Sequence, residues 1–251
     1  MTGTPPLAIV HDDGDLIAVD KPAGLAVHRS RMVGRDDDYL VDRLRRQVDG
    51  PLFLANRLDR ATSGLVLVAR SQPVARALGE ALMAREVAKT YLAVVRGWPA
   101  PDGEIDYPLT VGGMTGERKP ALTRWRTLAT VEVPIALGRY PQQRYALLAL
   151  APLTGRYRQL RRHLHHVHHP IVGDTTLGRG EHNRLFRERF GSHRMLLHAW
   201  RLALAHPLTG QPLRLQAPLD ATWQRVLAAL GWPPEADLPP WPESCPATAD
   251  R

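Results

Sequence analysis

The sequence predicts an α+β protein in which strands and helices are mixed without regular alternation. Short apolar runs typical of strands recur along the chain, and other stretches show the apolar spacing of amphipathic helices. These elements do not follow a strict strand–helix–strand order, which argues against a doubly wound parallel sheet. The 251 residues are 44% hydrophobic and 23% charged, values typical of one large globular domain or two small ones.

The first elements are predicted to be a hairpin and a helix. Two apolar runs, at 7–10 and 16–20, flank the turn-rich stretch HDDGD and predict antiparallel strands. Apolar residues four apart, beginning at Leu40, predict a helix over 37–48 with an aspartate near its start.

The middle and end of the chain continue this mixture. The apolar run 65–69 predicts a buried strand, and Ser71 is placed to cap a helix in which Pro73 falls in the first turn. Further strands are predicted at 89–96, 121–131, 145–150 and 195–204, and a closing helix at 220–230. Residues 1–231 are therefore expected to form one domain. The stretch 232–251 holds six prolines and is expected to be an extended or disordered tail.

The charge of the chain is concentrated in one segment. The net charge is +8 and the isoelectric point is near 10.2, which favours a polyanionic partner, nucleic acid first and anionic membrane second. Between Thr154 and Arg201 ten arginines stand against three acids, a net charge of +7. The chain has a single cysteine and no apolar run near the ~20 residues that span a bilayer, so a cytoplasmic protein without disulfides is expected.

The segment ANRLDRATSG at 55–64 holds a candidate catalytic carboxylate. Asp59 lies between Arg57 and Arg60, and neighbouring positive charge favours the ionised carboxylate. An ionised aspartate can act as a nucleophile or a base. A surface cluster of salt bridges is the alternative interpretation.

Two shorter motifs accompany it. KPAGLAVH at 21–28 predicts a tight turn at which the backbone can approach a ligand or another segment. Tyr91 shares one face of its predicted strand with Lys89. A tyrosine in a cleft can stack on a base or move a proton, whereas core packing is the alternative.

The basic segment LTGRYRQLRRH at 153–163 is predicted to begin a helix capped by Thr154. Arg158, Arg161 and Arg162 would then lie within roughly one turn, where they can bind phosphates or pair with a buried carboxylate. The following HLHHVHHP suggests a metal site, but no cysteine and no HExxH glutamate accompanies its histidines.

These segments, in this order, resemble the pseudouridine synthases of the RluA type. The matching motifs are KPAGLAVH, NRLDRATSG, KTY and TGRYRQLRRH followed by HPIVGD, which together span 21–174. The stretches 124–148 and 180–210 are similar to the tRNA-acting branch that modifies uridine 65. The resemblance implies a mainly antiparallel mixed sheet flanked by helices, with a central catalytic cleft.

The resemblance also implies a role for individual residues. Asp59 is the essential catalytic residue, Arg161 its ion-pair partner, and Tyr91 the residue that stacks on the uracil and assists deprotonation at C5. The target nucleotide is flipped out of the RNA, and Arg57 fills the vacated space. The remaining substrate-binding residues are Leu197 as an apolar wall, and Lys89, Arg156, Arg158 and Arg162 on the RNA.

The implied reaction uses no metal or cofactor, and its partner is RNA, with tRNA favoured. No membrane and no obligate protein partner is expected. Two residues depart from the family pattern, because Asn56 and Arg158 stand where histidines are usual, which bears on substrate affinity or specificity. The alternatives are the same chemistry on ribosomal RNA, a non-catalytic RNA-binding protein of this fold, and a histidine-bound metallohydrolase.

Overall fold

The structure is a computed structural model that describes residues 5–29, 38–111 and 116–239. Its strands are, in chain order, β1 (Ala8–Asp12), β2 (Leu16–Lys21), β3 (Phe53–Leu54), β4 (Ser63–Ala69), β5 (Ala88–Arg96), β6 (Asp102–Asp106), β7 (Leu109–Thr110), β8 (Arg118–Lys119), β9 (Leu122–Val133), β10 (Gln143–Pro152), β11 (Leu197–Ala205) and β12 (Pro212–Gln216). The helices are α1 (Leu40–Leu44), α2 (Gln72–Met83), α3 (Gln159–His166), α4 (Gly180–Phe190) and α5 (Ala221–Ala229). The predicted α+β class is confirmed.

The described chain divides into two compact units. Unit 1 comprises the residues up to Ala88 together with Ala199–Pro218, and unit 2 comprises Lys89–His198 and the residues from Leu219 onward. The boundary therefore falls within β11. The single domain predicted for 1–231 stays a prediction.

The sheet of unit 1 is built on the predicted hairpin. β1 and β2 pair antiparallel, β2 pairs antiparallel with β4, and β3 pairs with the far end of β4. β12 pairs antiparallel with β11. Gly64 lies where β4 passes β11 so closely that a Cβ on Gly64 would stand 2.2 Å from the Ala199 carbonyl oxygen. Only glycine fits there.

Both faces of this sheet are covered. Successive residues of β4 point to opposite sides, so Leu65 and Leu67 pack against α2 while Val66 and Val68 pack against α1. Every residue of β4 is buried, which explains why its sequence is a continuous apolar run instead of an alternating one.

The two helices of unit 1 differ in how closely they match the prediction. α2 begins at the expected cap, where the Ser71 hydroxyl accepts a hydrogen bond from the Val74 N–H. α1 is shorter than the predicted 37–48. It begins only after Tyr39, which is extended and offers no side-chain cap, and residue 37 lies outside the described residues.

Unit 2 contains an antiparallel sheet in the order β5-β10-β9-β6, and a separate hairpin of β7 and β8. β10 lies between β5 and β9 and pairs with both. Tyr91 of β5 lies opposite Leu150, and Arg96 lies opposite Tyr145. Tyr91 and Arg96 are five residues apart along β5, which is about 17 Å at 3.4 Å per residue.

The basic segment begins its helix later than predicted. Arg158 adopts φ 51°, a left-handed conformation that breaks the helical path, and α3 starts at Gln159. The Thr154 hydroxyl is not a helix cap: it accepts a hydrogen bond from the Leu122 N–H and donates one to the Gln159 side chain. The predicted cap at Thr154 is therefore wrong.

The predicted tail is packed over its first eight residues. Trp232 and Leu238 are buried, and a single turn of 3-10 helix covers Glu235–Asp237. The Leu219 N–H donates to a Glu235 carboxylate oxygen over 2.8 Å. The expectation of an extended or disordered tail fails for 232–239, because two large apolar side chains there are buried. Residues 240–251 lie outside the described part of the chain.

No helix within the described residues is both long and apolar enough to cross a membrane.

Candidate active site

The segment that carries Asp59 is fixed to the sheet by a side chain. The Ala55 N–H donates to the Leu67 carbonyl and continues the β3–β4 pairing by one residue. Asn56 then uses its side chain: Oδ1 accepts from the Leu67 N–H at 2.7 Å and Nδ2 donates to the Leu65 carbonyl at 3.4 Å. The backbone therefore leaves the sheet after Asn56, at a position that the Asn56 side chain fixes.

The KPAG turn holds the other side of Asp59. The Arg60 carbonyl accepts hydrogen bonds from the Gly24 N–H at 2.8 Å and from Lys21 Nζ at 3.2 Å. The Arg60 Nε donates in return to the Gly24 carbonyl. Gly24 has φ 86°, a conformation that favours glycine, so the KP-x-G pattern follows from this turn.

Lys21 is fully buried, with 0% of its surface exposed. Its ammonium also donates to the carbonyls of Pro22 and Leu25, both at 2.8 Å. A buried ammonium is costly unless it is hydrogen-bonded, so these carbonyls determine where the turn must lie. Lys21 therefore ties the KPAG turn to the residue next to Asp59.

Asp59 itself is half-buried, between exposed Arg57 and Arg60. Its carbonyl accepts from the Thr62 N–H at 3.0 Å, which closes a turn before β4. The Arg57 guanidinium contacts His28 of the KPAGLAVH segment at 3.4 Å. Unit 1 thus brings the two motifs of the sequence analysis together around the candidate carboxylate.

Unit 2 carries the remaining candidates. Tyr91 and Lys89 lie half-buried on one face of β5, whereas Thr90 and Leu92 are buried on the other, as the alternation predicts. Leu197 begins β11 and is buried. Whether Tyr91 and Arg161 share one cleft with Asp59 stays a prediction.

Arg161 forms a buried ion pair with Asp174. Its Nε and Nη2 donate to the two carboxylate oxygens over 2.6 and 2.8 Å, and the side chains are 6% and 1% exposed. Burial alone raises the pKa of the Asp174 carboxyl, but the hydrogen bonds from Arg161, Leu177 and Thr176 and the charge of Arg161 together outweigh burial, so the pKa lies below 3.8. A guanidinium carries five N–H donors, so this pairing aims Arg161 without exhausting it. The predicted pairing of Arg161 with Asp59 stays a prediction.

Two of the predicted RNA-binding arginines hold the polypeptide itself. Arg162 Nη1 donates to the Thr110 carbonyl at 3.0 Å, and Arg156 Nε donates to the Pro120 carbonyl at 3.1 Å. Thr110 lies in β7 and Pro120 directly follows β8, so both arginines attach to the β7–β8 hairpin. Arg158 lies over the ring of exposed Tyr157, and its buried Nε has no hydrogen-bond partner among the described residues.

The histidines of HLHHVHHP are engaged individually. His163 bonds the Thr123 hydroxyl and the Tyr107 carbonyl, both at 3.0 Å, and His166 stacks on the Tyr107 ring at 3.6 Å. Burial lowers the pKa of His163. His165 contacts the Leu177 carbonyl. His163, His165 and His166 therefore each contact a different group of the protein.

One other cluster within the described residues has the composition of a metal site, namely Asp13, Asp15 and His206. The His206 Nδ1 accepts from the N–H groups of Leu208 and Thr209 at 3.4 and 3.2 Å. Its proton therefore lies on Nε2, which faces Asp13 at 3.0 Å. A protonated Nε2 has no lone pair for a cation, so this cluster fits a polar contact between the His206 ring and Asp13.

Comparison with known proteins places the chain in a family. The RNA pseudouridylate synthase family matches residues 15–166. The chain belongs to the RNA pseudouridylate synthase family. The "tRNA pseudouridine synthase C" of Pectobacterium carotovorum is 46% identical over 235 residues, which cover 90% of this chain and 62% of that protein. The protein of the same name from Vibrio cholerae is 44% identical and is covered to 96%.

A solved structure of a human pseudouridylate synthase family member supports the fold. "Human RNA Pseudouridylate Synthase Domain Containing 1" is 26% identical, has a TM-score of 0.68, and aligns over 93% of this chain and 99% of that chain. The predicted pseudouridine synthase fold is confirmed. The matched family region contains Asp59, Tyr91 and Arg161, whereas Leu197 lies beyond it.

Three residues of this pseudouridylate synthase position the candidate catalytic residues through contacts that the sequence did not predict. They are Lys21 and Asn56, which hold the segment of Asp59, and Asp174, which holds Arg161. Asp174 had a visible signal, because it is one of only three acids in the basic segment. The contacts of Lys21 and Asn56 are to backbone atoms, which no residue type in the sequence reveals.

Proposed function

We propose that this protein is a tRNA pseudouridine synthase that converts uridine 65 to pseudouridine. The similarity to proteins named tRNA pseudouridine synthase C, at 40–46% identity over about 90% of the chain, carries the proposal. The RLD segment with its KPAG turn supplies the carboxylate that the chemistry needs. The site of action is the cytoplasm, where tRNA is processed in bacteria.

The reaction is an isomerisation and balances within the substrate. The N1–C1′ bond of uridine breaks, the base turns, and a C5–C1′ bond forms. C5 loses its proton and N1 gains one, so no oxidant or energy source enters. The Asp59 carboxylate either adds to the substrate or removes the C2′ proton along a glycal route.

The other residues position the base and the carboxylate. Asp174 aims Arg161, whose remaining donors keep Asp59 ionised and oriented. Tyr91 stacks on the uracil and assists removal of the C5 proton. Leu197 forms an apolar wall, and Arg57 occupies the space left by the flipped nucleotide.

The RNA is held mainly through its phosphates and its shape. Lys89, Arg156, Arg158 and Arg162 are proposed to contact it, in addition to the carbonyl contacts of Arg156 and Arg162. Recognition by shape suits tRNA, because the major groove of RNA helices is too deep and narrow for side chains to read.

Release of tritium from tRNA labelled at C5 of uridine tests the function. We expect the wild-type protein to release label and Asp59→Asn to release none, although both bind tRNA. Asp49→Asn, which changes an exposed aspartate in the same unit, is the matched control and should keep wild-type activity. Tight binding of tRNA without release by the wild type would identify a non-catalytic RNA-binding protein instead.

The substrate is tested with the same assay. A tRNA with cytidine in place of uridine 65 should release no label, whereas changes of other uridines should leave release intact. Label release from ribosomal RNA but not from tRNA would overturn the tRNA assignment and leave the chemistry standing.

A further inference from the structure

The arginines of the basic segment fall into two groups in the structure. Some are occupied within the protein: Arg161 and Arg194 form ion pairs with Asp174 and Asp220, and Arg162 donates to a backbone carbonyl. These three guanidinium groups therefore already have partners within the protein. Asp220 lies outside the segment, so its ion pair with Arg194 offsets one unit of the segment's net charge of +7.

The second group lies on or next to α4. Arg179, Arg184, Arg187 and Arg189 are all exposed, and none has a hydrogen-bond or ion-pair partner among the residues that the structure describes. We call these four residues the α4 arginine surface. Arg184 and Arg187 are three residues apart on the helix, so their side chains leave it about 5–6 Å from each other.

Packing holds this surface outward. The inner face of α4 buries His182, Leu185 and Phe186. The His182 Nδ1 lies 2.7 Å from the Tyr145 hydroxyl, and the Phe186 ring packs edge-on against the Tyr145 ring at 4.8 Å. Rotation of α4 would break these buried contacts, so the arginines cannot turn inward to find partners.

The acids of α4 do not neutralise the arginines. Glu181 and Glu188 are exposed on the same helix, at spacings from Arg184 that permit ion pairs. Within the described residues neither glutamate forms an ion pair with Arg184. The net charge of this surface stays positive, and its arginines keep their donors for a ligand outside the protein.

We propose that the α4 arginine surface is a docking site for the phosphates of the RNA substrate. Guanidinium groups that lack internal partners are suited to bidentate contact with phosphate oxygens. The exposed residues of α4 are glycine, glutamate and arginine, and the half-buried Phe190 packs edge-on against the Phe186 ring at 4.9 Å, so RNA is favoured over a membrane.

α4 is also connected to the arginine of the candidate active site. The Asn183 side chain accepts from the Gly173 N–H at 2.7 Å and donates to the Asp174 carbonyl at 2.9 Å. Asp174 holds Arg161 in turn. RNA docked on α4 would therefore be held at a fixed position relative to Arg161. This inference rests on the proposed function for the identity of its ligand.

The test measures binding of unmodified tRNA to the full-length protein over a range of salt concentrations. Each phosphate contact contributes about 0.7–0.9 to the slope of log affinity against log salt. We expect the quadruple variant with Arg179, Arg184, Arg187 and Arg189 changed to Gln to lose about 3 from this slope. Each single change should weaken binding roughly four- to sixfold at 0.15 M salt, with kcat at saturating tRNA unchanged.

Arg76→Gln is the matched control, since Arg76 is an exposed arginine on α2 without a described partner. Arg76→Gln removes one positive charge, as each single change on α4 does, and should leave the slope of log affinity against log salt unchanged. Glu188→Gln should strengthen binding. A quadruple variant with the slope of Arg76→Gln would overturn the docking site, while label release by the wild type would leave the proposed function intact. Binding by the wild type to anionic vesicles as strong as to tRNA would assign the surface to membranes instead.

Discussion

At the scale of single residues, Asn56 replaces one step of strand pairing with a side chain. If the antiparallel pairing of β3 with β4 continued, the Leu67 N–H would donate to the Ala55 carbonyl and the Leu65 carbonyl would accept from the Arg57 N–H. The Asn56 amide bonds these two residues itself. The family's usual histidine also has one acceptor and one donor nitrogen, so both residue types fit the same two backbone groups.

Asn56 is therefore expected to be a positioning residue for Asp59. Asn56→Leu removes donor and acceptor, and kcat for label release should fall at least tenfold, equivalent to about 1.4 kcal/mol, with KM changed less than twofold. Asn56→His should restore most of kcat. Unfolding midpoints of both variants verify that the assay temperature leaves them folded. A leucine variant with wild-type kcat would show that the segment needs no such support.

At the scale of elements, helix α4 shows where sequence patterns reach their limit. Its inner face contains a histidine beside Leu185 and Phe186, so the apolar stripe is too short to reveal a helix. His182 is buried against Tyr145, and burial with nearby Arg96 and Arg179 lowers the pKa of His182 to about 4. Burial likewise raises the pKa of Tyr145.

The lowered pKa of His182 predicts that acid destabilises the fold. Between pH 6.5 and 4 the unfolded chain binds a proton that the folded chain excludes, so the free energy of unfolding falls as pH falls. The loss caused by His182 is at most about 3 kcal/mol, complete near pH 4 and absent above pH 6.5. Urea unfolding at pH 7 and pH 5 should show a smaller loss for His182→Gln than for the wild type.

His163, whose pKa is also lowered by burial, supplies a comparison in this experiment. It remains in the His182→Gln variant, so part of the acid sensitivity should persist. Equal losses in the wild type and the variant would mean that His182 accepts its proton without cost in the fold.

Elements with strong local signals were predicted, and those set by distant contacts were not. The hairpin of β1 and β2, the buried β4 and the Ser71 cap of α2 follow from apolar pattern and capping chemistry. The start of α3 did not, because the left-handed Arg158 depends on its surroundings and the Thr154 hydroxyl is taken by Leu122. The motif residues of the candidate site are visible in the sequence and stay a prediction, whereas contacts such as that of Asp174 with Arg161 needed the three-dimensional structure.

At the scale of the whole molecule, the core extends further along the chain than composition suggests. Six prolines after residue 231 predicted a loose tail, yet Trp232 and Leu238 are buried. The Trp232 N–H also donates to the Leu227 carbonyl at the end of α5. Proline content restricts the backbone but leaves the side chains between prolines able to pack.

Two truncations test this extension. A chain that ends after Gly231 loses both buried side chains and should be destabilised by about 3–6 kcal/mol, at 1.5–3 kcal/mol for each. A chain that ends after Pro239 keeps them and should unfold at the wild-type urea concentration. Equal stability of the two truncated chains would restore a tail boundary at residue 231.

The hydrogen bonds of Asn183 that attach α4 determine which part of this helix can be exchanged with that of a relative. Within the described residues the Asn183 side chain bonds the backbone of Gly173 and Asp174, and those groups are the same whatever side chains surround them. The outer residues of α4 can therefore be replaced as a block while Asn183 and the inner face are kept. A chimaera with the outer face of a relative that modifies another RNA would keep its catalytic chemistry and acquire a different preference for RNA shape.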